Sequence, residues 1–486
     1  MSNTASVIQS RLSLEEKIRT RKVRAGIIGL GYVGLPLAVE FAKAGVEVVG
    51  IDIDTEKVDC INRGESYVQD VSNDTLERLV GAGSPRPLQS PSLRGGRKAD
   101  EAISEIASAS LDALPRNDED KVSLLRATAE FGIIRDLDTV NICVPTPLRK
   151  SKDPDISYIV SAAGEIAKYL HEGMLIILES TTYPGTTEEV ILPMLEETGL
   201  KVGKNFFLAF SPERVDPGNP HYNTRNIPKV VGGVTAKCTE LAKAFYEIAI
   251  EKVEAVSSPR SAEMVKLLEN TFRSVNIGLV NELCLMSEKL GVDIWEVINA
   301  AATKPFGFMP FYPGPGLGGH CIPIDPHYLA WKARINGFNP RFIDLASDVN
   351  AQMPEFVVHK AQAILNEQGK PLKGSRILIL GVTYKKNVAD IRESPALEII
   401  ELLEKQGANV SYTDPYVSEL TLHGKVYESM ELEDLKREAR HVDLAILVTD
   451  HKAFDYESII ERVPLLLDTR NATREVARSR EKILRI

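Results

Sequence analysis

The chain has 486 residues, of which 43% are hydrophobic and 26% are charged. This composition is typical of globular proteins and excludes collagen-like, coiled-coil and wholly disordered chains, while the length predicts about three domains. Lysine and arginine number 58 against 68 aspartates and glutamates, so the net charge of −10 excludes a broad basic surface for nucleic acid or an anionic membrane.

The cysteine pattern and the N-terminal sequence indicate the cellular compartment. The five cysteines contain no Cys-x-x-Cys pair, which argues against a disulfide framework and a structural zinc site. The first 24 residues are polar and lack the apolar core of a signal peptide, and no apolar run approaches the roughly 20 residues of a membrane span. We therefore expect a cytoplasmic protein with no metal, nucleic acid or membrane among its partners.

The N-terminal region alternates between predicted strands and helices. An apolar strand at 23–28 runs into a glycine-rich turn at 29–34, and a helix over 35–44 precedes a second strand at 46–52. Short apolar runs bounded by Pro, Gly and Ser, which are typical of buried parallel strands, follow at 139–144, 175–178 and 206–210.

One segment interrupts this alternation. Residues 81–125 are rich in Ser, Pro, Gly, Arg and Asp, with a weak helical pattern over 102–114. We interpret the segment as an inserted surface excursion, with a functional lid as the alternative.

A long helix is predicted in the middle of the chain. Ser258 and Pro259 form an N-cap and first helical residue, apolar positions recur through 265–290, and Gly291 ends the pattern. Helices of this length often form the spine between domains or subunits, so we expect a homo-oligomer. Two shorter helices packed within one subunit are the alternative.

A second α/β region begins near residue 375. Strands are predicted at 376–380, 410–413, 444–448 and 465–467, with an amphipathic helix over 396–406. The predicted fold class is therefore α/β: two Rossmann-like, doubly wound domains joined by a central long-helix domain.

The glycine-rich turn predicts a dinucleotide site. Gly29 permits a tight turn, Gly31 lets the backbone approach a pyrophosphate, and Gly34 lets helix and strand pack closely. Asp52 would accept hydrogen bonds from the adenosine ribose and repel a 2′-phosphate, so NAD is favoured over NADP, and Lys57 would assist at the adenosine end. The alternative is a glycine turn in an α/β domain that binds no ligand. The predicted cofactor residues in this region are Gly29, Gly31, Tyr32, Val33, Gly34, Asp52 and Lys57.

The most unusual stretch lies at 313–325, where four glycines and three prolines precede or flank Cys321. Such a loop lets backbone approach a ligand closely, and a thiolate held there is a candidate nucleophile toward carbonyls. Asp325 would fold back to orient a water or Lys266. The alternative is a buried apolar cysteine beside a structural turn.

Two further pairs of residues suggest a site. Lys266 and Asn270 share one face of the long helix and would stabilise an oxyanion, unless they are ordinary surface residues. Thr146 and Glu213 follow predicted strands, where parallel sheets place ligands, and together could hold a water. Read singly, each is an ordinary loop residue.

Taken together these motifs resemble the nucleotide-sugar 6-dehydrogenase family, in that family's order from about residue 23 to about residue 471. The stretch 304–312, which leads into the cysteine loop, is most similar to the UDP-N-acetylglucosamine 6-dehydrogenase branch. The motifs that carry the resemblance are the glycine turn, Pro-Thr-Pro at 145–147, Ser-Pro-Glu-Arg at 211–214, Lys266 with Asn270, Gly-Gly-His-Cys-Ile-Pro-Ile-Asp at 318–325, Tyr-Lys-Lys at 384–386 and Arg-Glu-Ser at 392–394.

The resemblance implies a four-electron oxidation at C6 of a UDP-sugar, most similar to that of UDP-N-acetylglucosamine to its uronic acid for polysaccharide synthesis. NAD takes a hydride, Cys321 captures the aldehyde as a thiohemiacetal, a second NAD oxidises this to a thioester, and water releases the acid. By resemblance Lys266 and Asn270 stabilise oxyanions, Asp325 orients a water or Lys266, and Thr146 and Glu213 place water. The implied catalytic residues are Cys321, Lys266, Asn270, Asp325, Thr146 and Glu213.

The resemblance also implies how the nucleotide and the domains are arranged. Lys385 and Arg470 match positions that contact UDP, and Arg392 and Thr146 match positions near the cofactor. The implied domains are an NAD-binding domain over 1–232 with the insertion at 81–125, a central dimerisation domain over 233–348 carrying the cysteine loop, and a UDP-sugar-binding domain over 349–486. The implied substrate residues are Glu213, Arg214, Lys266, Asn270, Tyr312, Gly318, Lys385 and Arg470.

Alternatives remain at this point. UDP-N-acetylmannosamine and UDP-glucose are alternative substrates. A single-step hydroxyacid dehydrogenase shares the glycine turn and a Lys/Asn pair, but Cys321 and the second α/β domain argue against it. A non-catalytic NAD- or nucleotide-sugar-binding protein is disfavoured because the reactive residues are all present.

Overall fold

The computed structural model describes residues 12–68, 70–81, 123–149, 153–216, 219, 221–319, 321–431 and 441–486. It divides into two compact units, the first containing the described residues up to Pro147 together with Asp155–Lys266, and the second containing Leu148–Pro154 together with Leu267–Ile486. The helical pattern expected at 102–114, and most of the predicted insertion, lie outside the described residues. Across the described parts of the chain, no helix is long and apolar enough to cross a membrane.

The first unit is built on an eight-stranded sheet of order β3-β2-β1-β4-β5-β6-β7-β8. Its inner strands are buried on both faces, as the fully buried Leu-Ile-Ile-Leu of β5 illustrates, whereas the edge strands β3 and β8 have exposed residues. The strands are β1 (Arg24–Ile28), β2 (Glu47–Ile51), β3 (Leu125–Thr128), β4 (Thr139–Ile142), β5 (Leu175–Leu178), β6 (Phe207–Phe210), β7 (Lys229–Gly233) and β8 (Val253–Ala255). The helices are α1 (Leu14–Arg19), α2 (Gly34–Lys43), α3 (Thr55–Asn62), α4 (Asn73–Val80), α5 (Ser157–Tyr169), α6 (Leu192–Glu196) and α7 (Ala236–Tyr246), with a 3₁₀ helix at Phe131–Asp136 and a π-helical turn at Thr187–Ile191.

The strand order places a switch point between β1 and β4. From β1 the chain winds outward through β2 and β3 on one side, and from β4 through β5 and β6 on the other, all in parallel. Ligands bind at the carboxyl ends of the strands that flank such a point. The doubly wound prediction is confirmed, except that β7 pairs antiparallel to β6. The described part of the connection between these two strands contains no helix that could carry the chain back for a parallel pairing.

The second unit contains a five-stranded parallel sheet of order β10-β9-β13-β14-β15 and an antiparallel hairpin of β11 and β12. A second switch point therefore lies between β9 and β13. The strands are β9 (Arg376–Leu380), β10 (Asn409–Thr413), β11 (Glu419–Leu422), β12 (Lys425–Glu428), β13 (Leu444–Leu447), β14 (Leu466–Asp468) and β15 (Ile483–Arg485). The helices after α7 are α8 (Pro259–Leu290), α9 (Ile294–Ala301), α10 (Asp325–Ile335), α11 (Arg341–Glu367), α12 (Pro395–Lys405) and α13 (Tyr456–Arg462), with a 3₁₀ helix at Arg480–Lys482.

The central helix is continuous. α8 runs for 32 residues, and its first turn is capped by the Ser258 hydroxyl, which accepts a hydrogen bond from the Ser261 amide at 3.2 Å. The predicted start and end are confirmed, and the alternative of two shorter helices is wrong. The division between the two units falls inside this helix, between Lys266 and Leu267.

Candidate active site

The glycine turn after β1 forms a cradle whose shape depends on its glycines having no side chains. Gly29 has a φ of +91°, and a Cβ at Gly34 would lie 1.9 Å from the Gly29 carbonyl oxygen. A Cβ at Gly31 would meet no heavy atom within 4 Å, so the space in front of the turn is open. The turn leads into α2, whose N-terminal amides favour an anion. This geometry fits a dinucleotide pyrophosphate.

Asp52 lies at the carboxyl end of β2 beside this turn. It is 8% exposed; its Oδ2 accepts from the Leu30 amide at 2.8 Å and its Oδ1 from the Asp54 amide at 3.0 Å. The Lys57 Nζ lies 3.9 Å from Asp52 Oδ2. The carboxylate is thus fixed to the glycine turn, where it suits a ribose diol. Among the other predicted cofactor residues, Val33 immediately precedes α2 and Tyr32 is 41% exposed.

The loop after β6 carries Glu213 in a fixed orientation. Its Oε1 accepts from the Arg214 and Val215 amides, each at 2.8 Å, and its Oε2 accepts from the Lys229 Nζ at 3.0 Å. Burial alone would raise the pKa of Glu213, but the Lys229 ammonium and the two amides lower it. The Arg214 guanidinium donates to the Pro228 carbonyl at 2.6 Å. Glu213 is therefore held as an ionised acceptor.

A buried ionic cluster that was not predicted from the sequence, Glu179–Lys229–Glu213, lies behind this loop. The Lys229 Nζ lies 2.6 Å from Glu179 Oε2, and Glu179 Oε1 accepts from Asn141 Nδ2 at 2.6 Å and from the Tyr246 hydroxyl at 2.7 Å. A lysine at the head of the apolar strand β7 was the available signal, because a buried ammonium requires a counter-charge. Thr146, which follows β4, is half-buried at the same edge of the sheet.

Lys266 and Asn270 lie one turn apart on α8, and both are buried, with exposures of 9% and 6%. The Asn270 Nδ2 donates to Asp325 Oδ2 at 2.5 Å, and Asp325 is 2% exposed. Asp325 is the first residue of α10, and its amide donates to the Cys321 carbonyl at 2.8 Å. The second unit therefore brings Cys321, Asp325 and Asn270 together, while Lys266 belongs to the first unit. The alternative of Lys266 and Asn270 as ordinary surface residues is wrong.

The glycine-rich loop that carries Cys321 is held from two sides. The Gly314 amide donates to Asn281 Oδ1 at 3.0 Å, and Asn281 in turn donates to Asn350 Oδ1 at 2.8 Å. The Gly319 amide donates to the Arg392 carbonyl at 3.1 Å. A Cβ at Gly318 would lie 2.7 Å from the Tyr384 Cβ, so this glycine permits the close packing. Cys321 itself is partly exposed.

Arg470 follows β14 and packs its guanidinium on the same loop. Its Nη1 would lie 2.5 Å from a Cβ at Gly314, and its Nε donates to the Val448 carbonyl at 2.9 Å. Burial lowers the pKa of Arg470, which still leaves a guanidinium charged at neutral pH. Tyr312 stacks on Trp295 with ring centroids 5.9 Å apart.

Lys385 lies in the loop after β9, beside a fully buried histidine. The Asn387 amide donates to His451 Nδ1 at 3.0 Å, so Nε2 carries the proton and donates to Asp414 Oδ2 at 3.0 Å. Burial would raise the pKa of Asp414, but the His451 hydrogen bond and backbone amides lower it. The loop is thus anchored to the sheet. The predicted cofactor residue Arg392 also belongs to the second unit, where its guanidinium lies 2.6 Å from Asp390.

Three family models match successive parts of the chain. Residues 23–83 and 98–250 match the NAD-binding domain of the UDP-glucose/GDP-mannose dehydrogenase family, residues 260–352 its central domain, and residues 378–475 its UDP-binding domain.

Individual relatives extend over most of the chain. A UDP-N-acetyl-D-glucosamine 6-dehydrogenase from Pseudomonas aeruginosa is 34% identical, over 82% of this chain and 84% of the relative. A UDP-N-acetyl-D-mannosamine dehydrogenase from Methanococcus maripaludis is 33% identical over 92% of both chains. The solved structure of UDP-D-ManNAc dehydrogenase from Pyrococcus horikoshii superposes with a TM-score of 0.76 at 31% identity, covering 93% of this chain and 96% of that one.

Proposed function

The chain belongs to the UDP-glucose/GDP-mannose dehydrogenase family and is an NAD-dependent UDP-sugar dehydrogenase, and from this premise we propose that it oxidises UDP-N-acetyl-D-glucosamine to UDP-N-acetyl-D-glucosaminuronic acid for polysaccharide synthesis. The observation that carries the proposal is the pairing of Cys321 with Asp325 and Asn270 in one glycine-rich loop region. A cysteine in this setting suits covalent capture of an aldehyde.

The choice of sugar rests on two observations. The sequence at 304–312 resembles the N-acetylglucosamine branch, and relatives from Pseudomonas aeruginosa and Salmonella typhi at 34% and 32% identity bear that name. Relatives named for the mannosamine epimer are as similar, at 32% to 34% identity, so UDP-N-acetyl-D-mannosamine is the second candidate substrate.

Cys321 divides the oxidation into two stages. Bound NAD supplies the hydride acceptor for each stage. The Cys321 thiolate adds to the C6 aldehyde to form a thiohemiacetal, whose oxidation leaves a thioester on the same sulfur. Water then cleaves the C–S bond, which releases the carboxylate and returns the thiol. The aldehyde stays bound to the chain throughout.

The buried polar groups of α8 are placed to stabilise the oxyanions of these steps. An amide nitrogen carries two hydrogens, so Asn270 can offer one to a C6 oxyanion while the other stays on Asp325. The Asp325 carboxylate thereby orients the Asn270 amide. Lys266 would supply the positive charge. Thr146 and the fixed Glu213 carboxylate would hold the water that attacks the thioester.

The UDP moiety is assigned to the second unit. Arg470 and Lys385 follow β14 and β9, at the carboxyl edge of the sheet, and would contact the diphosphate. Because Arg470 packs on Gly314, nucleotide binding would also fix the loop of Cys321. Gly318 and Tyr312 would contact the sugar or the nucleotide from the same loop. The domain limits 1–232, 233–348 and 349–486, and the remaining roles of Arg214 and Arg392, are part of this proposal.

A homo-oligomer formed through the central helix is also proposed. Five large apolar side chains of α8 are 46% to 66% exposed, at spacings of 4, 7, 7 and 4 residues. This periodicity places them on one stripe of the helix, as at a helix–helix interface. They are Leu268, Phe272, Leu279, Met286 and Leu290. Sedimentation of wild type and Leu279→Lys tests this interface. We expect wild type to sediment as an oligomer and Leu279→Lys to dissociate, and a monomeric wild-type protein would contradict the proposal.

A panel of nucleotide sugars tests the proposed substrate. Purified protein is mixed with NAD and, separately, UDP-N-acetylglucosamine, UDP-N-acetylmannosamine and UDP-glucose, and NADH and the uronic acid are measured. We expect the highest kcat/KM with UDP-N-acetylglucosamine. A higher value with the mannosamine epimer would transfer the assignment to the second candidate, and no turnover with any of the three would refute the proposal.

A further inference from the structure

The Glu179–Lys229–Glu213 cluster places two carboxylates on one buried ammonium. The side chains of Glu179, Lys229 and Glu213 are 0%, 3% and 13% exposed. Glu179 is satisfied inside the core, since its two oxygens accept from Asn141, Tyr246 and Lys229. The ammonium is shared between two carboxylates, and Glu213, the more exposed of the two, forms the outer end of the cluster.

We propose that Lys229 is a positioning residue for the dehydrogenase reaction: it holds the Glu213 carboxylate ionised and in one orientation, and Glu179 holds Lys229 in place. The inference rests on the role proposed above for Glu213. Its geometric basis is the 3.0 Å contact between Lys229 Nζ and Glu213 Oε2, together with the two amides on Glu213 Oε1. Three donors on one carboxylate leave it no freedom to rotate.

These three hydrogen bonds determine whether Glu213 can act as a base. A carboxylate whose charge is stabilised by an ammonium and two amides is a weak base, and is therefore poorly suited to accept a proton from water. It remains a good acceptor of a hydrogen bond. Glu213 thus orients the attacking water, and of that water's two protons one returns to the departing Cys321 sulfur and the other is released to solvent.

Cys143, Tyr246 and Lys229 do not change their protonation state in the acid part of the pH–rate profile. Burial, reinforced by Glu179, raises the pKa of the Cys143 thiol and of the Tyr246 hydroxyl, so both stay neutral at physiological pH. Burial would lower the pKa of Lys229, but the two carboxylates raise it above its ordinary value. The Arg214 guanidinium, on the loop of Glu213, is directed to the Pro228 carbonyl. Glu179 shares the Lys229 ammonium, so an acid limb in the rate would report the coupled carboxylates Glu179 and Glu213, and Glu213→Gln distinguishes the two.

The main experiment compares the pH dependence of kcat in wild type and Lys229→Met, which is one heavy atom shorter than lysine and removes the charge. We expect kcat at neutral pH to fall about 10- to 100-fold, because the carboxylate loses its orientation. The acid limb of kcat should also move to higher pH, because Glu213 then titrates without its counter-charge. Lys229→Arg should recover the wild-type limb. Lys237→Met is the matched control, since that lysine pairs with Glu15 on the surface, and it should leave both quantities unchanged.

A second variant keeps the inference testable if Lys229→Met does not fold. Glu213→Gln retains an oxygen acceptor, and Lys229 retains Glu179 as its partner. We expect kcat to fall by less than about 100-fold, with no acid limb from this group. A fall of about 100-fold or more, the range that general-base catalysis contributes, would mean that Glu213 accepts the proton and would overturn the inference. An unchanged pH profile in a folded Lys229→Met would overturn it as well. Wild type without turnover on every UDP-sugar would instead refute the proposed function itself.

Discussion

Two alanine substitutions in the glycine turn separate cofactor binding from folding. A methyl group at Gly31 meets no protein atom within 4 Å, and its φ lies outside the left-handed region. A methyl group at Gly34 would lie 1.9 Å from the Gly29 carbonyl oxygen, more than 1 Å short of any ordinary contact. The first change occupies the space assigned to the pyrophosphate, whereas the second disrupts the turn itself.

The expected magnitudes follow from these distances. Gly31→Ala should leave the free energy of unfolding without NAD unchanged or raise it by about 0.4–1 kcal/mol, because the unfolded chain loses freedom. Its NAD affinity should fall about 5- to 150-fold, which corresponds to the cost of about 1–3 kcal/mol for overfilling a packed site. Gly34→Ala should lose stability as well as affinity.

Calorimetric titration with NAD and thermal unfolding with and without NAD measure both quantities. Gly164→Ala is the control, since its Cβ would lie 3.9 Å from the nearest atom, Met194 Cε, within α5. The control should bind NAD as wild type does. Wild-type NAD affinity in Gly31→Ala would refute the assignment of this turn to the cofactor.

Three other substitutions test the second unit. Cys321→Ser should lower uronic acid formation by about 10³-fold or more, measured by mass spectrometry of the product, and an unaffected steady-state rate would contradict the nucleophile role. Asn270→Asp places a second carboxylate at the 2.5 Å contact with Asp325, so the pKa of one of the two carboxyl groups rises. The loss of thermal stability should therefore grow as pH increases from about 4. A loss that does not depend on pH would contradict the pairing of residues 270 and 325. The pKa of Asp414 is lower in the folded protein than in the unfolded chain, where it is about 3.9. The ionised carboxylate therefore stabilises the fold above the unfolded pKa, and this stability is lost as pH falls through the folded pKa. Asp414→Asn should remove this acid dependence of stability and increase hydrogen exchange in residues 382–387 at pH 7.

Features encoded by neighbouring residues were predictable from the sequence. The start and end of α8 follow from Ser258, Pro259 and Gly291, and the glycine turn is confirmed by its position between β1 and α2. The fold class was predictable for the same reason, because strand and helix signals alternate over short distances.

Features that depend on contacts between residues far apart in the chain were not predictable from the sequence. Lys229 is 50 residues from Glu179, and Asn270 is 55 residues from Asp325, so no local pattern pairs them. The antiparallel pairing of β7 with β6 was not predicted, because the described part of their connection contains no helix whose pattern would indicate the direction of the next strand. The expectation that Asp325 acts on a water or on Lys266 omitted its contact with Asn270, which only the fold provides.

The yield of NADH per sugar distinguishes a four-electron oxidation from a two-electron oxidation. A limiting amount of UDP-N-acetylglucosamine is consumed to completion with excess NAD, and NADH and uronic acid are both quantified. Two oxidations on one Cys321-bound intermediate predict about two NADH and one uronic acid for each sugar. About one NADH per sugar, with an aldehyde as the product, would contradict two oxidations on a Cys321-bound intermediate.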